Sequence, residues 1–141
     1  MTAREYLRQY GIAVKRIRRL RGEYKEQTKL VDAIRSPLAG DGIHTGAISK
    51  TVERQAVMLA SKAEELKLAI VDAAVIRQEV FDTIQSIPEE IGAVLYARYI
   101  QLKRWDDVAD AVNYSKRQVF RLHEEGLQIV GEIIEHDTSW H

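Results

Sequence analysis

Apolar residues in the first third of the chain recur every three or four positions, which predicts a long amphipathic helix. The stripe consists of Leu7, Tyr10, Val14, Ile17, Tyr24 and Val31. Arg21 and Thr28 occupy the intervening positions of a seven-residue repeat, a pattern typical of coiled-coil-like packing. The repeat stops at residues 36–46, SPLAGDGIHTG, where one proline and three glycines predict a loop.

The same spacing returns after the loop and predicts a second helix of roughly forty residues, which would be about 60 Å long. Its stripe is Val52, Ala56, Leu59, Ala63, Leu66, Ile70, Ala73, Val80, Ile84 and Ile87, with Arg77 as the only polar position. We therefore expect residues 1–87 to form a long, coiled-coil-like helical hairpin. Other apolar residues lie off the stripe and favour a homodimer, because water-exposed apolar patches of this extent are unusual in a monomer. They are Val57, Leu68, Val71, Val75, Ile76 and Phe81.

Pro88 is expected to end the second helix, because proline lacks an N–H donor and disfavours helical geometry in the preceding residue. It can also begin the next helix, where Glu89 and Glu90 would oppose the positive end of the helix dipole. We therefore predict a small C-terminal domain over residues 88–141. The whole chain is predicted to be all-α.

Within this domain, residues 105–127 have the pattern of a helix-turn-helix. A short helix over residues 106–112 precedes Asn113, a residue type that accepts left-handed geometry, and Ser115, a suitable N-cap for the next helix. The exposed first turns of that second helix would enter the major groove of DNA. Candidate DNA-binding residues are Ser115, Lys116, Arg117, Gln118, Phe120 and Arg121.

The net charge is zero, yet the charges are unevenly distributed along the chain. Residues 1–35 hold ten Lys/Arg against four Asp/Glu, whereas residues 86–141 hold six against ten. The basic end indicates either an anionic partner or contact with the acidic end of another copy. Candidate phosphate contacts are Arg18, Arg19, Lys103 and Arg104.

The chain lacks the residues that several classes of function require. The chain has no cysteine, and none of its four histidines has a metal-ligand spacing. It also lacks a nucleophile elbow and a phosphate-binding glycine loop, so we expect neither an enzyme nor a bound cofactor or metal. The longest apolar run, residues 68–76, is interrupted by Asp72, so we expect no membrane segment. The absence of cysteine fits a reducing compartment, so we expect a cytoplasmic location.

The C-terminal residues resemble the last helix-turn-helix region of bacterial sigma factors. The resemblance lies in IPEE at residues 87–90, Arg98-Tyr99, WDDVA at residues 105–109, VNYS at residues 112–115 and VFRL at residues 119–122. With YLRQY near the N-terminus, a basic helix, a loop and a long helix, the layout is similar to phage-encoded late-gene activators of the ArpU/RinA-like group. The resemblance implies a transcription activator that binds promoter DNA in the bacterial host cell and can contact RNA polymerase.

Two other functions remain open on the sequence alone. A phage small terminase subunit also joins a helix-turn-helix to an oligomerising helical part, although it usually places the DNA-binding unit first. A structural coiled-coil adaptor would instead bind protein through its C-terminal domain and would not bind DNA.

Overall fold

A computed structural model describes residues 1–35 and 45–138 of the chain, and this part is all-α, as predicted. The elements that it contains are α1 (Ala3–Arg35), α2 (Thr45–Gln85), α3 (Glu89–Leu95), α4 (Trp105–Val112) and α5 (Lys116–Thr138). A π-helical turn, Tyr96–Ile100, continues α3. Most of the predicted loop at 36–46 lies outside the described residues, and its last two positions belong to α2.

The chain folds into two compact units, one of which is Val14–Asp72 and the other Met1–Ala13 with the chain from Ala73 onward. This division differs from the predicted boundary between residues 87 and 88. The reason is that Leu7 of α1 and Val80 of α2 are buried in the same core as α3, α4 and α5. We call Val14–Asp72 the hairpin unit and the other the C-terminal unit.

In the hairpin unit, α1 and α2 pack through small and medium apolar side chains. Leu20, Val31 and Ala69 are buried. Gln27 is buried as well, and its Nε2 donates to the main-chain oxygen of Gln55 at 3.0 Å and to its Oε1 at 2.8 Å. These two bonds satisfy an amide that would be costly to bury without partners.

The predicted stripe needs correction at several of its positions. On α1, Leu20 and Gln27 are buried where Arg21 and Thr28 were predicted to face the partner helix. Both displaced positions lie in the hairpin unit, where the packing of α2 against α1 buries the residue one position before the predicted one.

On α2, two predicted positions are likewise displaced by one residue. Ala69 is buried whereas Ile70 is 42% exposed, and Arg77 is exposed whereas Ile76 packs against the core of the C-terminal unit. Of the apolar residues predicted to lie off the stripe, Val57, Leu68, Val71 and Val75 are at least half exposed. Ile76 and Phe81 are partly buried.

The C-terminal unit has a well-packed apolar core. Its fully buried side chains are Leu7, Val80, Val94, Leu95, Val108, Val119 and Val130. Helices α3 and α5 cross closely at Gly126, where a Cβ would lie 3.0 Å from side-chain atoms of Ile91 and Leu95. The glycine therefore sets the distance at which α5 lies on α3.

Within this unit, hydrogen bonds of a tyrosine side chain join the N-terminal end of α1 to the C-terminal end of α2. The Tyr6 hydroxyl lies 2.8 Å from Thr83 Oγ1 and donates to the main-chain oxygen of Glu79 at 3.3 Å. Pro88 follows α2 and precedes α3, with Glu89 and Glu90 in the first turn of α3, as predicted. Among the described residues, no helix is both long and apolar enough to cross a membrane.

Candidate nucleic-acid interface

The turn between α4 and α5 has the backbone geometry that the sequence predicted. Asn113 adopts left-handed angles, φ 60° and ψ 39°, and its N–H donates to the main-chain oxygen of Ala109. The N–H of Tyr114 donates to the same oxygen at 3.2 Å, which completes a helix C-cap. A short polar side chain such as that of asparagine tolerates this conformation better than most other residue types.

Ser115 begins the second helix of the motif as an N-cap. Its Oγ accepts a hydrogen bond from the main-chain N–H of Gln118 at 3.2 Å. The cap satisfies one of the N–H groups that have no partner within the helix. A serine hydroxyl in this role can still accept a bond from outside, so its predicted contact with DNA stays a prediction.

The predicted base-reading residues lie together on the first two turns of α5. Arg117, Phe120 and Arg121 are exposed, and Gln118 is partly buried. Arg117 and Arg121 are four residues apart and therefore project from the same side of the helix. Guanidinium groups on one face near a helix N-terminus are suited to bidentate contact with guanine edges in the major groove.

Lys116 has a partner that the sequence did not reveal. Its Nζ forms an exposed ion pair with the carboxylate of Asp106 in the first turn of α4. The hydrogen bond from Lys116, and then its positive charge, lower the pKa of Asp106 below its usual value. The pair joins the two helices of the motif at its exposed edge, where a phosphate group would compete with Asp106 for Lys116.

Lys103 and Arg104 immediately precede α4, in a segment held by Arg98. The Arg98 guanidinium donates to the main-chain oxygen of Lys103 at 2.8 Å and lies 4.5 Å from the centre of the Trp105 ring. Leu102 in this segment has a positive φ of 58°. Arg104 is exposed and Lys103 partly buried, and their contact with phosphate stays a prediction.

A cluster of aromatic rings packs against the first two turns of α5. The ring of Trp105 packs edge-on against Phe120 at 5.1 Å and against His123 at 4.7 Å between ring centres. The Tyr99 hydroxyl lies 2.6 Å from Nε2 of His123, and the two rings stack. Phe120 is therefore held by Trp105 on one side and exposed on the other.

His123 is buried, which the sequence interpretation missed. Burial lowers the pKa of His123 from 6.5 to about 4, so the imidazole is neutral at pH 7. The charge of Glu124 raises this pKa, whereas those of Arg4, Arg98 and Arg8 lower it. Burial also raises the pKa of Tyr99. The sequence did indicate this burial through spacing, because residue 123 lies four positions after Val119 and therefore on the same, buried face of α5.

The remaining candidates, Arg18 and Arg19, are exposed on α1 in the hairpin unit. Among the described residues, no group of three or more His, Asp or Glu side chains is arranged to hold a metal ion. No family model, no curated protein and no solved structure matches the chain.

Proposed function

We propose that this protein binds double-stranded promoter DNA through α4 and α5 and acts as a phage-type transcription activator in the bacterial cytoplasm. The observation that carries the proposal is the left-handed turn at Asn113 leading into a Ser115-capped helix with exposed Arg117 and Arg121. In helix-turn-helix proteins this part of the second helix enters the major groove.

The surrounding charges support two roles for the basic residues, contact with bases and contact with phosphates. Arg117 and Arg121 have no carboxylate partner among the described residues and are free to contact bases. Lys116, Lys103 and Arg104 lie at helix starts, where a contact with phosphate would fix the position of the domain on the duplex. RNA polymerase is proposed as a second partner on the basis of the resemblance to sigma factors.

Replacing Arg117 or Arg121 with alanine tests the base contacts. We expect each change to weaken binding to a selected duplex by about 1–3 kcal/mol and to relax preference at one base position only. The duplex comes from selection out of a random pool, and binding is measured by titration at fixed salt. Arg77→Ala, at an exposed arginine of α2, is the matched control and should leave binding unchanged.

Other results would reject this assignment. Equal weakening on every sequence would make the residue a phosphate contact, and no change in either variant would remove α5 as the recognition helix. A protein that assembles into large rings would fit a small terminase subunit. A folded protein that binds no duplex would fit a coiled-coil adaptor.

We also propose that two copies associate through the outer face of α2 in the hairpin unit. Val57, Leu68 and Val71 share one side of this helix, and each is more than half exposed in the single chain. A second copy of the same face would cover this apolar surface, and a two-fold dimer would present two helix-turn-helix units. DNA half-sites would then be spaced by roughly 10 base pairs or a multiple of that number.

Light scattering of the variant Leu68→Asp tests the dimer. The unchanged protein should have twice the 16.1 kDa mass of one chain, and the variant should approach the single-chain mass. Leu30→Asp, at a 44% exposed leucine of α1, is the control and should leave the mass unchanged. A mass near 16.1 kDa for the unchanged protein at micromolar concentration would contradict the proposal.

A further inference from the structure

Helix α1 carries a stripe of cations in the hairpin unit. Lys15, Arg18, Lys25 and Lys29 are all exposed and recur at alternating spacings of three and four, with Gly22 at the intervening position. At 100° per residue they lie roughly 140–180° around the helix from the buried Leu20. We call these four residues the basic stripe.

The basic stripe lies on the helix that carries most of the positive charge of the hairpin unit. None of its four side chains forms an ion pair with a carboxylate in the described residues, and Glu23 of the same helix is paired with Lys62 at 3.9 Å. Residues 14–35 contain eight Lys/Arg against three Asp/Glu, whereas residues 45–72 contain four of each. The excess positive charge of the unit therefore lies on α1.

We infer that the basic stripe is a second DNA-binding surface, which contacts the phosphate backbone of a duplex without reading its sequence. This inference rests on the proposed function, which supplies duplex DNA as the ligand. The stripe is roughly 21 Å long along the helix axis. Duplex DNA presents one negative charge per about 1.7 Å of its axis, so several phosphates lie within reach of four long, flexible cations.

The composition of this face favours duplex DNA over a single-stranded nucleic acid or a membrane surface. It carries no aromatic side chain on which the bases of a single strand could stack. A membrane-binding helix would need its apolar side free to enter the lipid, whereas here Leu20 and Val31 are buried in the hairpin unit. Phosphate contact through the cations alone fits both features.

The experiment compares two triple variants of the full chain that have the same net charge. Arg18→Gln, Lys25→Gln and Lys29→Gln together remove most of the stripe. The control combines Arg16→Gln, Arg35→Gln and Arg77→Gln, three exposed cations that lie outside the basic stripe and off the apolar face of α2 formed by Val57, Leu68 and Val71. Binding to a random-sequence duplex and to the selected duplex is measured from 50 to 200 mM salt, and circular dichroism verifies that both variants are folded.

For the stripe variant, the slope of log affinity against log salt concentration should be shallower by about 0.9 for each of the three cations removed, on both duplexes. Between 50 and 200 mM salt its affinity should therefore fall roughly 40-fold less than that of the unchanged protein. The control should retain the original slope, because its cations lie elsewhere. Base preference should stay the same in both, since the stripe reads no bases. The same slope change should appear when the stripe changes are combined with Arg117→Ala.

The possible failures are distinguishable. Sequence-specific binding with an unchanged slope would overturn the stripe alone, as would equal slope changes in the two triple variants. Salt-dependent binding that needs the stripe but shows no base preference would overturn the helix-turn-helix assignment alone. If no duplex binds, both proposals fail. Stripe-dependent self-association or binding to phosphatidylserine vesicles would then identify an acidic second copy or a membrane as the occupant.

Discussion

Acidification is expected to destabilise the C-terminal unit through His123. The pKa of this buried imidazole is about 4 in the folded chain and 6.5 when exposed. Well above pH 6.5 the group is neutral in both states and imposes no penalty. As the pH falls toward 4, the unfolded chain binds a proton that the folded chain does not, so the free energy of unfolding decreases. The expected loss is about 2 kcal/mol at pH 5 and about 3 kcal/mol at pH 4.

Chemical denaturation at several pH values between 5 and 7 measures this effect in a range above the titration of most carboxylates. The variant His123→Gln is the control, because its amide does not titrate and can still form a hydrogen bond with the Tyr99 hydroxyl. Its stability should be nearly constant over the same range. If the variant and the unchanged protein lose stability equally, His123 is not the titrating group.

Truncation of Leu95 to alanine is expected to cost about 2–5 kcal/mol of folding free energy. The Leu95 side chain is fully buried, and it lies against α5 where Gly126 permits the close crossing of that helix. The substitution would leave a cavity between α3 and α5 that the closely packed backbones could not fill by moving together. Because the candidate DNA-binding residues lie on α5, we expect the proposed DNA binding to weaken at temperatures where the unit begins to unfold.

The matched control for this substitution is Leu30→Ala, which removes the same atoms from a leucine that is 44% exposed. Its cost should remain below about 1 kcal/mol, since much of the side chain is in water in both states. Thermal and denaturant unfolding of the two variants give the comparison. Similar losses for Leu95 and Leu30 would mean that α3 and α5 are not the stabilising contact described here.

The sequence by itself determined the features that depend on neighbouring residues. Period-three-and-four spacing predicted long helices, and Pro88 predicted the end of α2, because both effects act within a few residues. The left-handed turn at Asn113 and the cap at Ser115 were also predicted correctly. Each depends on the backbone preference or the hydrogen-bonding reach of a single side chain.

The tertiary structure alone decided which of two adjacent residues is buried. The hairpin unit buries Leu20 rather than Arg21, and Ala69 rather than Ile70. Adjacent side chains point about 100° apart around a helix, and the position of the opposite helix determines which of the two it covers. The division of the chain likewise depends on contacts between residues far apart in sequence, such as Tyr6 with Thr83.

Tertiary packing also decided the surroundings of the candidate interface. The hydrogen bond of His123 with Tyr99 spans 24 residues, and the ring contacts of Trp105 join α4 to α5. The ion pair of Lys116 with Asp106 joins the same two helices. Helical periodicity fixes the direction of a side chain around its own helix, but its partners depend on how separate helices pack.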